Sequence, residues 1–180
     1  MKVLETSLPG VLIIEPAVYA DARGFFVETF QVDRYRREAG ITLPFVQDNL
    51  SRSQRGVLRG LHAQRRHPQG KLVRVARGEI FDVAVDIDPN SEHFGRWTGA
   101  RLSETSQRQI WIPPGYAHGF VVLSDIADVE YKCTDSYFPG DEIGVVWNDP
   151  AIGIDWPISD PFLSPKDAAL PGLAQLKAIR

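Results

Sequence analysis

Between residues 45 and 147, short apolar or alternating runs are separated by Gly, Pro, Asn and Asp, which predicts strand after strand. The runs are 45–50, 57–62, 71–75, 79–87, 97–102, 109–112, 118–123, 129–134 and 145–147. Over 81–87, Phe81, Val83, Val85 and Ile87 share one face. Asp82 and Asp86 share the other, either solvated or turned into a polar cavity. Ahead of this region, the apolar run 11–14 stopped by Pro16 reads as an edge strand. A turn at 21–24 leads into a strand over 25–30. Helical spacing shows over 32–39, where positions 32, 35 and 39 are apolar or small and Gly40 is the stop. Near the end, Ser164 reads as a helix cap, Pro165 as the first helical residue and Asp167 as the closing member of a capping box. The pattern predicts an all-β sandwich or barrel with a few short helices near the N- and C-termini, not βαβ units. With no repeat or linker, the 180 residues read as one domain whose core spans about 45–150.

Composition narrows the partners. Hydrophobic content of 43% and charged content of 24% are ordinary for a globular protein. A net charge of −3 argues against a nucleic-acid partner but leaves room for a few arginines to hold a diphosphate. The single Cys133 forms no internal disulfide and suits a reducing compartment. The first residues lack the basic and apolar regions of a secretory signal, and no apolar run reaches membrane-spanning length. The expectation is a cytoplasmic protein with no membrane partner.

Candidate chemistry concentrates in 56–71, which carries Arg59, His62, His67 and Lys71 between two apolar strands. His67 and His93 fall in loops. His62 and His118 lie at or beside apolar strands, where an imidazole needs a partner. The run from Ile112 to His118 fits the P-x-G-x-x-H pattern of metal-binding cupins, but their H-x-H motif here reads His62-Ala63-Gln64. Two imidazoles and an amide are a poor ligand set for zinc or non-haem iron. No metal and no cofactor are expected.

Several motifs in series carry a resemblance. They include Asp21-x-Arg23-Gly24-x-Phe26-x-Glu28, Gln47-Asp48-Asn49, Gly56 through His62, Gly70 through Arg74 and Gly78 through Asp86. Trp111 through Phe120, Tyr131-Lys132-Cys133-Thr134, Trp147-Asn148-Asp149-Pro150, Trp156-Pro157 and Leu163-Ser164-x-Lys166-Asp167 follow in the same order. From about residue 3 to residue 170 the chain resembles the dTDP-4-dehydrorhamnose 3,5-epimerases, jelly-roll sugar-nucleotide epimerases of dTDP-L-rhamnose biosynthesis. The resemblance implies a cupin-like jelly roll and a homodimer in which N-terminal strands pair across the interface. It also implies inversion of C3 and C5, both α to the C4 ketone of dTDP-4-dehydro-6-deoxy-D-glucose. That chemistry needs a base, an acid on the opposite face and a positive group at the enolate oxygen.

By this resemblance His62 is the base, Asp167 its orienting carboxylate, Lys71 the group beside the C4 oxygen and Tyr131 the acid. Arg23, Arg59 and Lys166 would face the phosphates or nearby polar groups. Glu28, Gln47, Asn49, His118 and Glu142 match nucleotide or sugar positions, and Phe26 and Tyr137 offer stacking surfaces for thymine. Asp82 matches a polar position near His118. Each has a plainer reading: Asp167 as helix cap, Lys71 as an edge-strand lysine, Tyr131, Tyr137 and Phe26 as packing aromatics. Strict alternation puts Arg59 and His62 on opposite faces, so both reach one pocket only if the strand is irregular at Gly60. Ala63 stands where the family usually has an aromatic, and Arg65-Arg66 is either a loop charge cluster or an added attraction for diphosphate. A single-centre epimerase, a metal-dependent cupin and an inert sugar-binding cupin are the competing readings.

Overall fold

The computed structural model describes residues 1–178. Among these residues thirteen strands form two packed sheets and one detached hairpin. The six-stranded sheet runs β1 (Lys2–Glu5), β2 (Leu12–Glu15), β10 (Gln109–Ile112), β7 (Lys71–Arg77), β12 (Ile126–Cys133), β5 (Gln47–Gln54). The five-stranded sheet runs β13 (Glu142–Gly144), β6 (Leu58–Gln64), β11 (Tyr116–Val122), β8 (Glu79–Asp86), β9 (Trp97–Ser103). Strands β3 (Val18–Asp21) and β4 (Gly24–Val27) pair with each other alone. This is the expected jelly-roll sandwich.

Alternation explains the layers. Val73, Val75, Ile110, Val129 and Ala127 of one sheet meet Ile80, Ala84, Phe120, Val122 and Leu102 of the other in a dry core. The opposite face of the five-stranded sheet, carrying Leu61, Val83, Val85 and Ala117, is covered by Val145, Ile152 and Leu173 from the C-terminal segment. The outer face of the six-stranded sheet, carrying Ile14, Leu72 and Trp111, is covered by Tyr35 and Ile41 around helix α1 (Val32–Ala39). Helix α1 ends at Gly40 with φ 67°, as its position predicts. The apolar face of 81–87 therefore points away from the inter-sheet core. Asp82 points inward, in the same row as Ile80 and Ala84.

Several boundaries differ from the sequence reading. Strand β2 is not an edge, because β1, too short and mixed to stand out, pairs outside it. The strand expected over 25–30 stops at Val27, and Phe30 instead packs on Tyr35 and Phe45 with ring centroids 5.0 Å apart. Strand β5 runs four residues beyond Leu50 through polar residues, because it pairs with β12 along its whole length. The strand expected over 145–147 falls at Glu142–Gly144, where the chain pairs with Ala63 and its neighbours. Helix α3 (Leu173–Ala178) was not anticipated; α2 (Pro165–Ala168) was.

Candidate active site

A cavity of about 530 Å3 opens between the sheets. One wall carries Arg59, His62 and His118 from β6 and β11; the other carries Ser51, Lys71 and Tyr131 from β5, β7 and β12. The segment 162–167 forms its rim.

Arg59 and His62 share this wall because β6 contains the irregularity that alternation demanded. His118 pairs with His62 and Phe120 with Arg59, so three steps on β6 oppose two on β11. One residue is extra, and both side chains turn inward. Gly60 makes this possible. Its φ is +119°, and a Cβ there would lie 2.5 Å from Gly119 Cα and 2.7 Å from the His118 carbonyl oxygen.

The His62 ring is part-exposed to the cavity, and its Nε2 lies 2.6 Å from Asp167 Oδ1. Helix α2 sets that carboxylate. Ser164 Oγ accepts from Asp167 N at 3.1 Å and Pro165 occupies the first turn. The capping box is thus half used, with Ser164 capping while the buried Asp167 carboxylate turns to His62. A second imidazole–carboxylate pair stands beside the first. His118 Nε2 lies 2.9 Å from Asp82 Oδ2. Asp82 is wholly buried, and its Oδ1 has no hydrogen-bond partner among the described residues. Burial pushes the Asp82 carboxyl above its usual range, while His118 and Lys71 pull it back.

Lys71 and Tyr131 look across from the other sheet. Burial lowers the Lys71 ammonium below its ordinary value, opposed by its electrostatic interactions with Cys133, Asp82 and Glu142. Burial raises the Tyr131 phenol, so it keeps its proton at neutral pH. Cys133, opposite Lys71 in register, is also raised by burial and drawn down by Lys71.

Further polar groups are tied to these residues. Lys166 Nζ lies 2.5 Å from Glu142 Oε1, which is 3.8 Å from His62 Nε2, and this pairing raises Lys166. Arg59 Nε donates to Ser53 Oγ at 2.9 Å. Gln47 and Asn49 sit in register with Cys133 and Tyr131. Gln47 Nε2 donates to Asn49 Oδ1 at 2.9 Å, and Gln47 Oε1 accepts from Tyr137 N at 2.9 Å. Arg23, Phe26 and Glu28 are not brought to the cavity within this chain. Arg23 sits exposed at the hairpin turn, 2.6 Å from Asp21; Phe26 is 68% exposed on β4; and Glu28 pairs with Arg34 at 3.0 Å. Ser51, which lines the cavity, and Ser53, which holds Arg59, were not singled out from the sequence. Alternation along the polar strand Gln47–Gln54 carried the signal for the two serines.

Gln64, at the H-x-H position, turns away into a loop. Among the described residues no group of three or more His, Cys, Asp or Glu is arranged to hold a metal ion. No helix there is long and apolar enough to cross a membrane.

Known proteins are similar to this chain in sequence and fold. A dTDP-4-dehydrorhamnose 3,5-epimerase from Methanothermobacter thermautotrophicus is 56% identical over 169 residues, covering 92% of this chain and 91% of its own. The crystal structure of a dTDP-6-deoxy-D-glucose-3,5-epimerase from Legionella pneumophila, in complex with dTDP-4-keto-L-rhamnose, superposes with a TM-score of 0.94. It is 54% identical, with 97% of this chain and 96% of that one covered. A 3'-monoepimerase from Streptomyces bikiniensis, solved with dTDP-quinovose, is 32% identical with a TM-score of 0.90, covering 97% and 89%. Residues 5–175 match the sequence profile of the dTDP-4-dehydrorhamnose 3,5-epimerases, and the chain belongs to that family.

Proposed function

We propose that this protein inverts C3 and C5 of dTDP-4-dehydro-6-deoxy-D-glucose to give dTDP-4-dehydro-L-rhamnose, acting as one jelly-roll domain over 1–180. The observation that carries this reading is the 2.6 Å His62–Asp167 pair facing Lys71 and Tyr131 across the cavity. Base and acid thus come from opposite sheets, which suits removal of a proton from one face of the sugar and return to the other. The ring nitrogen of His62 not engaged by Asp167 takes the proton α to the C4 ketone. Asp167 steadies the resulting imidazolium. The electron pair moves onto O4, where the Lys71 ammonium meets it. Tyr131 then delivers its proton to carbon from the far side, and proton exchange with solvent resets both residues for the second centre. The residues so described need no redox partner, since the carbon skeleton is neither oxidised nor reduced overall.

Arg59, Lys166, Glu142, Gln47, Asn49, His118 and Tyr137 would bind the nucleotide sugar. Arg23, Phe26 and Glu28 would join them from a second copy of the chain. Two features support that homodimer. The detached β3–β4 hairpin exposes Tyr19, Phe25 and Phe26, while β5 leaves an open sheet edge with Leu50 exposed. The product would feed carbohydrate and polysaccharide biosynthesis in the cytoplasm.

Turnover in D2O followed by NMR tests the reading. Deuterium at both C3 and C5 is expected; label at one centre makes this a monoepimerase; no label rejects proton exchange. His62→Ala should abolish the exchange while dTDP still binds, and near-normal exchange would remove His62 from the mechanism.

A further inference from the structure

Gln64 has no part in the chemistry above, yet it is 94% buried, being 6% exposed. Its amide spans two loops. Nε2 donates to the backbone carbonyls of His67 at 2.8 Å and Ser136 at 3.1 Å, and Oε1 accepts from Phe138 N at 2.8 Å. Asp141, equally buried, answers from the other loop. Its carboxylate accepts from Arg66 N at 3.0 Å, His67 N at 2.9 Å and Arg66 Nε at 3.4 Å. Burial would raise its pKa, but these donors outweigh it and hold the carboxyl below its usual range. Arg65 N also donates to the Asp141 carbonyl at 3.0 Å, and the His67 ring stacks on Phe138 with centroids 3.9 Å apart. Two buried side chains, one on each side, therefore staple 65–69 to 135–141.

The stapled segment carries Tyr137 and runs into Glu142, whose Oε1 lies 3.8 Å from His62 Nε2 and 2.5 Å from Lys166 Nζ. Tyr137 lies between Ser136 and Phe138, both bonded to Gln64. Glu142 follows Asp141 directly and opens β13 in register with Gln64. A ligand platform ordered before binding spares the ligand the entropy of ordering it.

We propose that Gln64 and Asp141 are positioning residues that set nucleotide affinity by clasping the loop that presents Tyr137 and Glu142. The inference rests on Tyr137 and Glu142 contacting the nucleotide sugar, as read above. The clasp acts on ground-state binding and leaves His62, Asp167, Lys71 and Tyr131 in place, so it affects KM and not kcat.

Gln64→Leu keeps the bulk and removes all three bonds. Its KM and the Kd of dTDP, measured by calorimetry, should rise about tenfold with kcat within about threefold. Amide exchange at Arg66, His67 and Phe138 should quicken together. An unchanged dTDP Kd, or a fall in kcat at unchanged KM, overturns the clasp. If Gln64→Leu does not fold, Asp141→Asn, which keeps the shape and one acceptor oxygen, carries the same prediction. Wild-type protein separates the two ideas: if it neither binds dTDP nor exchanges deuterium, the functional reading fails; if it does both and the variants bind dTDP normally, the clasp alone fails.

Discussion

Lys71 is held where water would serve it better. Its lowered pKa means the ammonium is less stable in the fold than in the unfolded chain, with burial the largest cause. Below the folded pKa both states are protonated and the full penalty applies; it fades as pH rises toward the ordinary lysine value of about 10.4. Lys71→Met should therefore raise Tm by roughly 2–4 °C near pH 7, the gain shrinking at higher pH, while turnover falls about 100-fold or more. A lower Tm at neutral pH, or turnover within tenfold of wild type, would show that the charge is neither costly nor used. At this scale much was legible. His62, Lys71, Tyr131 and Asp167 all meet in the expected cavity or at its rim. The pairing of Cys133 with Lys71 was not anticipated, because a lone cysteine carries no local signal of the lysine it faces.

Strand β6 depends on one residue without a side chain. Replacing Gly60 by Ala would force a Cβ to within 2.5 Å of Gly119 Cα in the neighbouring strand at a φ that L-residues rarely adopt. We expect a loss of about 2–5 kcal/mol, seen as a lower denaturant midpoint, and lost turnover because Arg59 and His62 no longer share a wall. An undiminished midpoint would mean that β11 yields at little cost. The bulge could be anticipated from the spacing of Arg59 and His62. The position of β13 could not, since 145–147 is the more apolar stretch and the strand is decided by its partner β6.

On the scale of the whole molecule, an isolated two-stranded hairpin with Val18, Tyr19, Phe25 and Phe26 between 43% and 68% exposed is a poor surface for a monomer. Tyr19→Asp combined with Phe25→Asp should turn the proposed dimer into monomers in sedimentation and weaken dTDP binding, with the His62–Asp167 pair intact. A wild-type protein that sediments as a monomer and turns over at full rate would remove the second copy from the site. The sequence places Arg23, Phe26 and Glu28 in the family's motif, but nothing along one chain tells whose cavity they serve.

Alternation and turn residues, which act over a few neighbours, determined the class of fold, the central strands, helix α1 and the cap at Ser164. The resemblance named the residues proposed to carry the reaction. Only the tertiary structure decided which face of Phe81–Asp82–Val83 is the inside, that His62 and His118 stand side by side, and that a carboxylate 105 residues away reaches His62. The reason is physical: periodicity sorts side chains into two faces, but the inner face is chosen by which sheet or segment arrives to cover each one.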